Sequence, residues 1–73
     1  MTYHVLAAYD GGGMTSSRYA EYDKALVKFF SQFATNIANH NSALEMLIDE
    51  QGNVYKTEYY AKEIPAETTE PAT

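Results

Sequence analysis

The stretch Tyr9-Asp10-Gly11-Gly12-Gly13-Met14-Thr15-Ser16-Ser17 lies between two segments of different periodicity, and its reading sets where the first strand stops and the helix begins. Upstream, Tyr3 to Tyr9 is short and rich in β-formers, which predicts a strand that Asp10 and the three glycines bring to a flexible turn. Downstream, Thr15, Ser16 and Ser17 offer N-cap oxygens just before a long run with helical spacing. At about 100° per residue, Tyr19, Tyr22, Leu26, Phe29, Phe30, Phe33 and Ile37 share one arc, a core-facing stripe that also takes in Asp23. The helix is expected to end near Asn39, which makes it about 35 Å long. Strands of about seven residues span only about 23 Å, so one end of such a helix overhangs the sheet. Its second half is polar but uncharged on the exposed face, through Ser31, Gln32, Thr35, Asn36 and Asn39.

Beyond the helix, Ser42 to Ile48 and Asn53 to Lys62 read as a hairpin closed by Asp49-Glu50-Gln51-Gly52, with Gly52 in the left-handed conformation that such a loop requires. Pairing Ile48 with Asn53 places Leu44, Met46 and Ile48 toward the helix and sets Glu45 opposite Lys56. The predicted architecture is therefore α+β: a single β-α-β-β domain over residues 1–64, a three-stranded sheet with one long helix on one face. The first strand is expected parallel to the second, with the last strand between them so that each neighbouring pair is antiparallel. Residues 65–73 carry no large apolar side chain and are read as a disordered acidic tail.

Composition narrows the functional classes. The 73 residues include no cysteine, so disulfides and thiolate metal sites are excluded. A chain this short is marginal alone, with about 4 to 11 kcal/mol of stability, and self-association is the remaining common staple. A net charge of −5 argues against direct binding of nucleic acid or an anionic membrane. The acidity is uneven: residues 1–40 balance Asp10, Glu21 and Asp23 against Arg18, Lys24 and Lys28, and the excess lies in residues 41–73. The short N-terminal apolar run is neither a signal peptide nor a span, so a cytoplasmic location is expected.

Residues Gly11, Gly12, Gly13, Ser16, Ser17 and Arg18 resemble a phosphate loop in context, following a strand and opening a helix. The third glycine of a dinucleotide fingerprint is absent, and so is the lysine of a P-loop. His4 and His40 have no second metal ligand at suitable spacing, and no nucleophile, base and carboxylate set is present. No enzyme activity, metal or cofactor is expected.

With one face of the sheet uncovered, the leading expectation is a small protein-interaction module that works as a homodimer with a further protein partner. Candidate interface positions are Leu47, Val54 and Tyr60 on the sheet, with Phe29 and Asn36 on the helix. The alternative is an acidic nucleic-acid mimic that blocks a DNA-binding protein, using Glu45, Asp49, Glu50, Glu58, Glu63, Glu67 and Glu70. Anion or nucleotide binding at the Gly11 to Ser17 loop ranks third.

Overall fold

The computed structural model describes residues 1–62, and the expected acidic tail lies outside the described residues. The order is β1 (Tyr3–Tyr9), β2 (Met14–Tyr19), α1 (Tyr22–Ala38), β3 (Ala43–Asp49) and β4 (Val54–Tyr60). Over the described residues the chain is α+β with one helix, as the sequence suggests, but its sheet has four strands in the order β2-β1-β3-β4.

The extra strand comes from the glycine stretch. Gly12 and Gly13 adopt φ of 99° and 97°, a region that costs a side-chain-bearing residue dearly and glycine little. The chain reverses there: the Gly12 N–H donates to the Tyr9 carbonyl and the Tyr9 N–H to the Gly13 carbonyl. Thr15, Ser16 and Ser17 then pair with Ala7, Leu6 and Val5 and do not cap a helix. The helix starts later, after Glu21, which makes no side-chain cap hydrogen bond. At 17 residues it is about 26 Å long, close to the length of the strands, so the expected overhang is absent.

Adding a hairpin before the helix also reverses the direction in which the chain re-enters the sheet. β3 therefore runs antiparallel to β1, from Tyr3 against Asp49 to Tyr9 against Ala43, and β4 is an edge strand, not the central one. The β3–β4 hairpin forms, but with Ile48 opposite Val54 and a bulge between Leu47 and Ile48. The shift places Glu45 opposite Glu58 and Leu47 opposite Lys56.

The largest correction concerns which face meets the helix. Ala43, Glu45, Leu47 and Asp49 are buried toward α1, and Leu44, Met46 and Ile48 point away from it. Period-two alternation fixes that these sets are opposed, but a one-residue change inverts both. The core cluster is Val5, Ala25, Phe29 and Leu47, with Tyr3, Tyr19, Tyr22 and Leu26 packed around it. Because β2 widens the sheet, the buried side of α1 is rotated from the aromatic stripe toward Ala25, Phe29 and Asn36. Phe30 and Ile37 are left 50% and 41% exposed, and Asp23 is exposed rather than inside the core arc. Lys56 Nζ stands 5.8 Å from the Phe30 ring centroid, over a ring the core does not enclose.

Candidate functional site

The face of the sheet that α1 does not cover is its most apolar one. The two central strands place Leu6 opposite Met46, and Ala8 opposite Leu44. The edge strands extend the row, with Met14 beside Ala8 and Tyr59 beside Leu44, while Val54 adjoins Ile48. Met14, Val54 and Tyr59 are each more than half exposed. Polar groups stand at one corner, where His4 faces Arg18, and as single hydroxyls at Ser16 and Thr57. A contiguous neutral surface of this kind is the usual mark of an interaction site, unlike scattered apolar residues.

The helix-facing side holds the opposite chemistry. Glu45 is fully buried below α1. Its Oε2 accepts a 2.6 Å hydrogen bond from Asn36 Nδ2, while Oε1 is buried without a partner. The Asn36 Oδ1 receives the Tyr9 hydroxyl at 3.4 Å, and Gln32 Nε2 donates to Thr15 Oγ1 at 2.9 Å. Burial pushes the Glu45 carboxyl above its ordinary pKa, with the Asn36 bond and the charge of Lys28 pulling the other way.

Asp49, also buried, is fully provided for. The N–H groups of Gln51 and Asn53 reach Oδ1 at 2.8 and 3.0 Å, and Asn53 Nδ2 and the Tyr55 hydroxyl reach Oδ2 at 2.9 and 2.8 Å. Burial alone would raise its pKa, but the hydrogen bonds from Asn53, Tyr55 and the backbone outweigh it and hold it at about 2. The same bond to Asp49 pushes the Tyr55 hydroxyl up to about 12. Tyr3, Tyr22 and Tyr55 stack edge to face around this turn, with centroids 5.5 to 5.8 Å apart. Asp49 is thus a structural carboxylate, its lone pairs occupied by its own hairpin.

The residues singled out from the sequence are dispersed. Gly11, Gly12 and Gly13 form a hairpin turn with no helix N-terminus behind it, so the phosphate-loop context is lost. Strand alternation then separates Ser17, on the helix side, from Ser16 and Arg18 on the open face. Of the expected interface positions, Val54 lies on the open face. Leu47 and Phe29 are fully buried core residues, Asn36 is bonded to Glu45, and Tyr60 is partly buried with its hydroxyl 3.4 Å from His40 Nδ1. Glu45 and Asp49 are likewise unavailable to a nucleic-acid-mimicking surface, whereas Glu50 and Glu58 are exposed. The residues missed are Leu44, Met46 and Ile48, whose apolar character made them look like core.

A cleft of about 450 Å³ at one end of the sheet is bounded by Asp10, Gly11, His40, Ser42 and Lys62. The Asp10 carboxylate and the Ser42 hydroxyl are engaged locally: Tyr59 donates to Asp10 at 2.9 Å, and the Lys62 backbone N–H donates to Ser42 Oγ at 2.8 Å. Among the described residues no set of three or more His, Asp or Glu side chains is placed to hold a metal ion, and no helix is long and apolar enough to cross a membrane. No protein-family model, curated protein or solved structure matches the chain.

Proposed function

We propose that this chain is a small protein-interaction module without catalytic activity, and that it works as a pair of copies joined through the uncovered sheet face. The observation that carries this reading is the distribution of side chains: Leu6, Leu44, Met46 and Ile48 lie outward, and carboxylates lie under the helix. Four strands about 4.8 Å apart and about 23 Å long give roughly 450 Å² of flat area. Two such faces bury on the order of 1,000 Å² of accessible surface when stacked, near the lower bound for a specific interface. A second copy suits the face because the centre is neutral, so identical surfaces meet without charge repulsion. His4 and Arg18 lie at one corner and stay hydrated at the rim.

The area predicts a reversible dimer in the micromolar range, since association costs consume much of the gain from so small an interface. Sedimentation equilibrium from about 1 to 100 μM, around that predicted range, should show mass rising toward that of two copies. Met46→Asp, at the centre of the face, should leave the far-UV spectrum unchanged and abolish the rise. A mass of one copy throughout, or unaltered pairing in the variant, rules the proposal out.

A further inference from the structure

The sheet has two edges, and they are guarded differently. β4 carries a bulge and presents Lys56 and Glu58, devices that discourage a further strand from pairing. β2, Met14-Thr15-Ser16-Ser17-Arg18-Tyr19, has neither a bulge nor a proline, and its one charge, Arg18, stands on the open face. The bond from the Tyr9 N–H to Gly13 sets the ladder, so Thr15, Ser17 and Tyr19 bond to β1. Met14, Ser16 and Arg18 consequently direct their N–H and C=O groups away from the sheet. Alongside that edge runs a cleft of about 580 Å³ between β2 and α1. Tyr19 lines it from the strand, and Lys24, Val27 and Lys28 line it from the helix, with Glu21 and Asp23 at the end where α1 begins. Val27 is 70% exposed there.

We propose that this cleft accepts an extended acidic segment of a partner protein, added to the sheet as a strand beside β2 with alternate side chains turned toward α1. The backbone groups of Met14, Ser16 and Arg18 supply the main-chain bonds, as in strand addition generally. Lys24 and Lys28 are one turn apart, about 6 Å along the helix axis. Alternate residues of a strand are about 6.6 Å apart, so two carboxylates on one side of the incoming segment meet the two ammonium groups. Tyr19, Val27 and the lysine methylenes give apolar contact between them. A basic segment meets like charge at Lys24 and Lys28, and the opposing pull of Glu21 and Asp23 is confined to the end where α1 begins. The proposal rests on the interaction-module reading but uses a different surface, because a strand added at this edge leaves Leu6 and Met46 untouched.

The test is an NMR titration of the ¹⁵N-labelled full chain with a synthetic peptide that alternates Glu and Thr around a central Val, and with its Lys-for-Glu counterpart. The acidic peptide should shift the Met14, Ser16 and Arg18 amides and slow their hydrogen exchange. The basic peptide should bind roughly fivefold more weakly, the effect of two surface ion pairs. Lys24→Glu, which spares the Lys28 charge near Glu45, should remove that preference. In the Met46→Asp variant the response should persist, which separates this site from the paired face. Equal binding of both peptides, shifts confined to β4 or to the open face, loss of the response with Met46→Asp, or no response at millimolar peptide would each overturn the proposal.

Discussion

Replacing Glu45 by Gln should stabilise the protein at neutral pH and do nothing useful in acid. The side chain is fully buried, Oε2 has one partner in Asn36, and Oε1 has none. A buried acceptor left unpaired costs about 1 to 3 kcal/mol, and more when it carries charge. The charge of Lys28 on α1 offsets part of that cost. Glutamine keeps an oxygen for Asn36 and removes the charge but leaves its amide N–H groups at the partnerless Oε1 position, so a gain of about 1 kcal/mol is expected at pH 7. For a domain of this size that raises Tm by about 4 to 8 °C. The sign of the pH dependence follows from the raised pKa of Glu45. The folded state holds this proton more tightly than the unfolded chain, so wild-type stability contributed by Glu45 is complete below the ordinary value of 4.5 and declines as pH rises through the folded pKa. The advantage of the variant should therefore shrink as pH falls, because protonated Glu45 is nearly isosteric with Gln. Urea unfolding followed by far-UV circular dichroism at pH 7, 5.5 and 4, at one protein concentration, measures this difference. A variant less stable than wild type at pH 7, or a gain independent of pH, would refute the reasoning.

Asp49 should behave with the opposite sign: its depressed pKa of about 2 means its contribution is present above 3.8 and is lost as pH falls toward 2, and Asp49→Asn should remove that acid dependence in a pH titration of unfolding. Phe29→Ala should cost about 3 to 5 kcal/mol, a large share of the whole stability of so short a chain, and thermal melts should show it unfolded or close to it at 37 °C. Gly12→Ala should cost about 1 to 2 kcal/mol, because a Cβ there meets nothing within 4 Å and only the φ of 99° resists it. Chemical denaturation of that variant with an unchanged midpoint would show that the first turn can re-form without left-handed geometry.

Much of the fold is legible in the sequence where local chemistry and burial point the same way. β1 is found from its β-formers, and the β3–β4 hairpin from Gly52, whose φ of 86° is the left-handed value the loop demands. The first hairpin uses the same device, with the Gly12 N–H on Tyr9 matching the Gly52 N–H on Asp49. It goes unread because β2 is an exposed edge strand whose Thr and Ser residues give no apolar alternation, and hydroxyls before a helix look like caps. The inverted sheet face has a different origin. Leu44, Met46 and Ile48 are more apolar than Ala43, Glu45, Leu47 and Asp49, so a rule that sends the greasier set inward chooses wrongly. The structure permits that inversion because α1 brings Asn36 to Glu45, and the second turn brings its own donors to Asp49. The interaction surface is hidden from the sequence for the same reason.

The order β2-β1-β3-β4 also divides the chain into two local hairpins joined at one seam, the β1–β3 ladder. Each hairpin closes through three intervening residues, whereas the seam unites strands separated by β2 and all of α1. An isolated hairpin is at best marginal in water, so neither half gains stability until Val5 and Leu47 come together across the seam and Phe29 covers them. Stable structure in this chain accordingly depends on both hairpins meeting at that one seam. A cut in the connection 39–42 leaves fragments that must re-form that ladder, together with the Asn36–Glu45 bond and the cover of Phe29 over Leu47, to regain the native state.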